Sequence, residues 1–294
     1  MTEPRGIDHL VLPVHDLDAA GAHYAALGFQ VGARNRHPWG TENRIVQFPG
    51  AFLELIALGE DLRRAPATID PAAPRFLGFI RDFLAGRGEG FAMLVLESRD
   101  AAADRAAFAA AGIDGGEPFF FERTAERPDG TRVRVAFSLA FAQSPAIPAA
   151  GFFVCQQHEP QNFWNPAFQQ HPNGAAGLGG VVMLTEDARG PLGFLEAFSG
   201  APPICVGARN IAIATPRGTL EAMTPACFRD VTGLDPGPGA TPRLVAFKVQ
   251  APVEAMAARL EAAAIPHVRH RKHLAVAAAD NFGAALVIEE PRAR

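Results

Sequence analysis

Two side chains in the first sixty residues have chemistry that their surroundings do not ask for. His9 lies within the apolar run Gly6-Ile-Asp-His-Leu-Val-Leu-Pro-Val14, and Glu54 sits in the middle of Phe52-Leu-Glu-Leu-Ile56. A neutral imidazole and a carboxylate suit Zn, Fe, Mn or Ni, and a carboxylate also serves as a general base. Taken alone, a histidine in a strand is usually a hydrogen-bonded core residue. Glu54 is the sharper signal. Strand alternation puts it on one face with Phe52 and Ile56, so an outward carboxylate would carry two apolar neighbours into water. It is expected inward, where burial costs free energy unless the group is paired or metal-bound.

Further polar groups fall in similar places. Gln156 and His158 end an apolar strand just before Glu159-Pro160, and Phe163-Trp164-Asn165-Pro166 is a loop fit to cover a pocket. Trp164 is taken as a substrate contact. Arg34, Arg36, Arg44, Arg132 and Arg134 lie on the middle strands of hairpins, where a guanidinium fork can clamp an anion, and Arg44 is taken as the substrate-binding one. The cluster His267-Val-Arg-His-Arg-Lys-His273 fits neither one strand face nor one helical stripe, and its cations would repel a metal; it reads as an exposed basic strand or turn. Cys155 lies out of phase with His158 on its strand and is not taken as a nucleophile. GxGxxG, Walker and HExxH motifs are absent.

The elements that position these groups repeat. Gly6–Val14 reads as a buried strand and Asp16 as an N-cap. Leu17–Leu27 reads as a helix with Leu17, Ala20, Tyr24 and Leu27 on one face, closed by Gly28. Strands are expected at Phe29–Arg36, Glu42–Phe48 and Phe52–Leu58. The unit returns 84 residues later (Gly6 to Gly90): Gly90-Phe-Ala-Met-Leu-Val-Leu matches the first strand and Ala111-Gly-Ile matches Leu27-Gly-Phe. Ser98 takes the N-cap place, Arg127-Pro-Asp-Gly130 turns a hairpin, and Gly151–His158 is the fourth strand. Two degraded copies follow at 177–224 and 243–290. The expected fold is α+β: four βαβββ modules forming two paired-module domains with cupped mixed sheets. The domains are expected at 1–172 (modules 6–58 and 90–160) and 173–294.

Composition bounds the rest. The chain has 294 residues, 48% hydrophobic and 20% charged, enough to bury a sizeable core. Its 27 basic and 31 acidic residues leave a net charge of −4, which offers nucleic acid and anionic membranes no attraction. Three scattered cysteines without a CxxC argue against disulfide and thiolate-zinc frameworks. No apolar run approaches the roughly 18–20 residues of a membrane span, and the N-terminus lacks a signal-like segment. A cytoplasmic protein that binds a small molecule is expected, and a homodimer is compatible with the pattern.

Ile-Asp-His-Leu-Val-Leu, Val-His-Asp-Leu-Asp-Ala-Ala, Leu-Gly-Phe and Phe-Leu-Glu-Leu-Ile together resemble the vicinal-oxygen-chelate superfamily, and within it the glyoxalase-like branch, over roughly residues 6–180. The resemblance implies a divalent metal (Zn, Fe, Mn or Ni) held in a cupped sheet by the first and fourth strands of two modules. Carried over, the ligands are His9 and Glu54 from the first module. The second departs from the pattern: Met93 stands where His9 does, direct alignment on Glu54 lands on Val154, and Gln156 and His158 lie in phase with it, so that three of four positions can be filled. Glu221 is a remnant acidic position in the third module. The implied function is a metal-dependent lyase or isomerase, with Glu54 catalytic and the ion stabilising an enolate or other oxyanion. The alternatives are a metal-free binding protein, favoured by Met93 and the Phe-rich interior, and an extradiol-type dioxygenase.

Overall fold

The computed structural model of the chain describes residues 3–64, 74–126, 130–239 and 241–291. In the first half the strands are β1 (Ile7–Pro13), β2 (Asn35–Arg36), β3 (Thr41–Phe48), β4 (Ala51–Leu58), β5 (Met93–Ser98), β6 (Phe119–Glu126), β7 (Arg132–Ala142) and β8 (Gly151–Gln157). The second half has β9 (Gly177–Leu184), β10 (Pro203–Val206), β11 (Asn210–Ala214), β12 (Thr219–Met223), β13 (Arg243–Gln250), β14 (Val268–His270), β15 (His273–Val276) and β16 (Ala285–Glu289). The helices are α1 (Leu17–Ala26), α2 (Glu60–Arg64), α3 (Arg75–Arg87), α4 (Ala101–Ala110), α5 (Pro160–Phe163), α6 (Leu192–Ser199), α7 (Pro225–Thr232) and α8 (Val253–Ala262).

Four βαβββ modules pair into two eight-stranded mixed sheets. Their strand orders, β2-β3-β4-β1-β5-β8-β7-β6 and β10-β11-β12-β9-β13-β16-β15-β14, are the same pattern twice. In each sheet the first strands of two modules meet antiparallel at the centre, and each runs parallel to the fourth strand of its own module. Every sheet therefore has a pseudo-twofold axis through its middle, which is what makes one cup out of two modules.

Local sequence explains the repeated helix. Asp16 accepts hydrogen bonds from the backbone of Asp18 and Ala19, and the chain leaves α1 through Gly28 at φ 81°. Asp100 does the same for Ala102 and Ala103, and Gly112 follows α4 at φ 71°. The cap is thus Asp100 and not Ser98, whose hydroxyl instead donates to Asp104 at 2.6 Å. The expected strand Phe29–Arg36 shrinks to Asn35–Arg36. Phe29 turns into the core against Tyr24 and Phe48, and the Gln30 amide donates to His171 rather than to a ladder. The first three residues of the turn expected at Arg127-Pro-Asp-Gly130 lie outside the described residues. The basic run at 267–273 is the β14–β15 hairpin, largely exposed as expected.

The backs of both sheets share one buried cluster, built from strand residues such as Leu10, Leu12, Val181 and Met183 and helix residues such as Tyr24, Phe108, Phe198 and Leu260. Aromatic contacts cross the join, Phe152 lying 4.8 Å from Phe194. Each concave face has its own smaller cluster and its own roof. Ile80 and Leu84 of α3 roof the first cup; Cys227 and Phe228 of α7 roof the second. Leu77, Ile80 and Leu84, the buried residues of α3, follow helical spacing. None of the described helices is long and apolar enough to cross a membrane.

Candidate active site in the first cup

Every strand of the first sheet except β2 sends alternate side chains to its concave face. His9 and Val11 come from β1, Phe52, Glu54 and Ile56 from β4, and Asn43 and Ile45 from β3. Met93, Phe153, Cys155, Phe137, Leu139, Phe121 and Arg123 complete the walls from the second module. With Phe76 and Ile80 of α3 and Phe163 of α5 above them, they enclose a cavity of about 70 Å³. Beside it lies an open cleft of about 650 Å³ that shares Ile45, Arg123 and Phe163 and is bordered by Trp164. An apolar pocket with few convergent polar groups is the ordinary form of a small-molecule site.

His9 is held firmly. Its Nδ1 lies 2.6 Å from Asp8 Oδ1, its ring stacks on Phe52 at 4.4 Å, and the edge of Phe153 closes the other side at 5.6 Å. Asp8 and His9 are chain neighbours, yet both turn to the concave side. The pairing of β1 with β5 skips a residue between Ile7 and His9, a bulge that brings the two side chains together. Gln157 donates to Asp8 Oδ2 at 2.9 Å, so the carboxylate is bound from both sides. With Nδ1 engaged by Asp8, the imidazole's Nε2 is the nitrogen left for a bound molecule.

Glu54 faces the same cavity. Asn43 Nδ2 donates to its Oε1 at 2.6 Å, and His37 Nε2 lies 3.9 Å from that oxygen. His37 is buried, pairs with the Thr41 hydroxyl at 2.9 Å and stacks on Trp39 at 4.7 Å. Burial pulls its pKa below the ordinary histidine value, against the opposing pull of Glu54, so the ring is neutral near pH 7. Burial likewise pushes the Cys155 thiol well up, with Asp8 and Glu54 adding to it, and the thiol stays protonated. Cys155 lies on the face opposite Gln156, as its phase predicts, but that face is the one that lines the cup, and the thiol's inertness comes from burial.

The structure brings together three of the expected site residues, His9, Glu54 and, at the cleft, Trp164, and separates the other three. Phe152, Val154 and Gln156 face the back of the sheet, and Gln156 Oε1 accepts from the Ala101 amide at the start of α4. His158 follows at the exposed strand end, paired with the Ser138 hydroxyl at 2.8 Å. Neither reaches the cavity. The register explains the error: β1 sets His9 opposite Phe52, β5 sets Met93 opposite Gly151, and the residue equivalent to Glu54 is therefore Phe153, one place before Val154. Arg44 also points to the back, onto Asp18 at 2.8 Å and the Gly32 carbonyl at 3.1 Å. The arginine of the cup is Arg123, and the unforeseen polar residues are His37, Asn43 and Asp8. Asp8 and Asn43 were visible as polar residues in strands, but only the bulge and the β3 phase tell which way they face.

The four pseudo-symmetric positions thus hold an imidazole, a carboxylate, a thioether and a phenyl ring: His9, Glu54, Met93 and Phe153. Two donors of four do not fit a closed divalent centre, and among the described residues no three His, Cys, Asp or Glu side chains converge on one point. The second cup is further reduced. By the same register its positions are Gly180, Glu221, Ala246 and Val287. Glu221 is answered there by Lys248, whose Nζ lies 2.6 Å from it and 3.4 Å from Glu289. Burial draws the Lys248 pKa down, but the two carboxylates outweigh it and the net shift is upward.

Comparison with known proteins agrees with this architecture. A family model described as a glyoxalase-like domain matches residues 7–196. No curated protein sequence matches. Among solved structures, a hypothetical protein from Staphylococcus aureus superposes with TM-score 0.65 at 11% identity, covering 98% of this chain and 100% of that one. A Mn(II)-bound glyoxalase from Novosphingobium aromaticivorans gives TM-score 0.58 at 13% identity, covering 99% and 84%. An extradiol ring-cleaving dioxygenase from B. fuscum gives 0.55 at 12%, covering 99% and 74%. At such identities the likeness is one of fold. With the family model spanning well over half its length, the chain belongs to the glyoxalase-like domain family of the vicinal-oxygen-chelate superfamily.

Proposed function

We propose that the first cup is a small-molecule site that catalyses proton transfer, of the isomerase or lyase type, on an oxygenated molecule with an apolar body. The observation that carries this reading is the pairing, in one apolar cavity, of a carboxylate fixed by Asn43 with an imidazole fixed by Asp8. Glu54 is placed to take a proton from a carbon beside a carbonyl, and His9 Nε2 to accept the hydrogen bond of a neighbouring hydroxyl. Asp8 fixes the ring orientation, as second partners of catalytic histidines do. The phenylalanines around the cavity keep water from Glu54, which strengthens each polar contact made there. A divalent ion polarises a carbonyl where a full set of donors holds it; with two donors at the four pseudo-symmetric positions, the proton transfer proposed for this cup uses the chain's own side chains.

Met93 and Phe153 favour a second reading, a binding protein that holds an apolar ligand without chemistry. The two readings part in one experiment. Protein treated with a chelator is incubated in D2O with a panel of small 2-oxo and 2-hydroxy compounds, and loss of carbon-bound protons is followed by NMR. The proposal expects exchange in at least one compound, slowed about 10²-fold or more in Glu54→Gln. Exchange at the native rate in that variant contradicts it, and binding without exchange supports the second reading.

A further inference from the structure

Arg123 is the one cup residue whose charge the catalytic reading leaves unused. It sits on β6 between Phe121 and Ala125 on the same strand face, opposite Val135 of β7. It lines both the inner cavity and the outer cleft. Most arginines elsewhere on the first sheet are tied to carboxylates: Arg44 to Asp18, Arg36 to Asp61, Arg134 to Glu122. Arg123 makes no such pair among the described residues; the attraction acting on it is the longer-range field of Glu54, and burial pulls its pKa down. Glu54 already has its donor in Asn43. A second donor is idle in the same wall: Trp39, which lines the cavity, buries its indole Nε1 without a hydrogen-bond partner. Leaving donors unpaired in an apolar wall is costly unless something arrives to accept from them.

We infer that the molecule bound in the first cup carries a carboxylate, and that Arg123 holds it at the junction of cavity and cleft, with the Trp39 indole as an additional donor. This rests on the reading of the cup as a small-molecule site and adds the substrate class, an organic acid with an apolar body. A planar guanidinium fork matches a carboxylate in two parallel hydrogen bonds, which a lysine ammonium cannot reproduce. The apolar walls, Phe52, Phe121, Phe137 and Phe153 among them, take the remainder of the molecule. Anchoring the acid at Arg123 leaves the part of the cavity lined by Glu54 and His9 for the reacting carbon and oxygen.

The test is isothermal titration calorimetry at pH 7.5 with two probes of nearly the same shape, phenylacetate and its neutral amide phenylacetamide. The native protein is expected to bind phenylacetate at least about tenfold more tightly, roughly 1.4 kcal/mol. Arg123→Met is expected to bring the two probes within about twofold to threefold of each other, and Arg123→Lys to keep part of the preference. Thermal melting of Arg123→Met should match or exceed the native value, since an unpaired cation leaves an apolar wall; a large drop would make Arg123 a structural residue and overturn the inference. Equal binding of both probes by the native protein, or an acid preference that survives Arg123→Met, overturns it while leaving the cup as a binding site. Binding of neither probe overturns the inference and the small-molecule reading together.

Discussion

Replacing Lys248 by Met tests what holds the buried carboxylate of the second cup, Glu221, in place. Lys248 and Glu221 are 10% and 14% exposed, so their 2.6 Å contact is a buried ion pair and not a surface one. The ammonium also reaches Glu289 at 3.4 Å, and the Thr219 hydroxyl gives Glu221 Oε1 one more partner at 2.9 Å. Removing the cation alone leaves the Glu221 carboxylate under α7 with only that hydroxyl, a loss of about 3–5 kcal/mol by analogy with other broken buried pairs. Removing both charges, as Lys248→Met with Glu221→Leu, exchanges the pair for apolar contacts among Val182, Ala246 and Phe228 and should fall within about 1 kcal/mol of native or above it. Urea unfolding of the two single variants and the double variant gives the coupling directly, with an unchanged slope showing that the unfolded state is the same. A double variant as unstable as Lys248→Met would refute the reasoning, because the loss would then come from the lysine's packing and not from the stranded carboxylate.

Other expectations follow from the first cup. Asp8→Ala removes the partners of His9 Nδ1 and of Gln157, so stability in urea should fall by about 2–4 kcal/mol; a change below 1 kcal/mol would mean that the carboxylate is dispensable to the cup. Gln156→Ala and His158→Ala should leave ligand binding and exchange at native rates, whereas His9→Gln should weaken both, and equal effects from all three would contradict the placement of the cavity. His37 has a folded pKa below its unfolded value of about 6.5, so the unfolded chain binds its proton first. Its contribution to stability is complete above about pH 7 and is lost as pH falls through the unfolded value toward the folded one. Replacing His37 by Gln should flatten the stability curve between pH 7.5 and 5, measured by urea midpoints, and an unchanged slope would show that other histidines carry it.

The module repeat was legible because it is written in local signals. Closing glycines and branched apolar runs recur from the first module to the second at one spacing, and with the weaker later copies they predict four βαβββ units and the two cupped sheets, although the second cap was assigned to Ser98 and is Asp100. The roof helices α3 and α7, which not every copy has, were missed, and so was β10, a short edge strand equivalent to β2. His9 and Glu54 were legible because each is a polar residue in an apolar strand whose neighbours define its face. The second module was not, since its β8 strand, Phe-Phe-Val-Cys-Gln-Gln, is apolar on both faces at first and polar on both at its end. Alternation there has no contrast to read, and a one-residue slip moved Gln156 and His158 into the site on paper and Gln157 out of it. Arg44 and Arg123 have the same composition signal; only the phase of β3 and β6 against the helix layer separates a back-face ion pair from a cavity wall.

In the proposed site the cup acts through His9, Glu54 and their partners, and Met93 and Phe153 stand at the equivalent positions of the second module. The most direct test is metal content by mass spectrometry after the native protein, His9→Ala and Glu54→Ala are each incubated with Mn, Fe, Ni and Zn and then dialysed. The expected result is well below one ion per chain in the native protein, with no difference among the three. One ion per chain in the native protein, lost in both variants, would contradict it and make the first cup a metal centre.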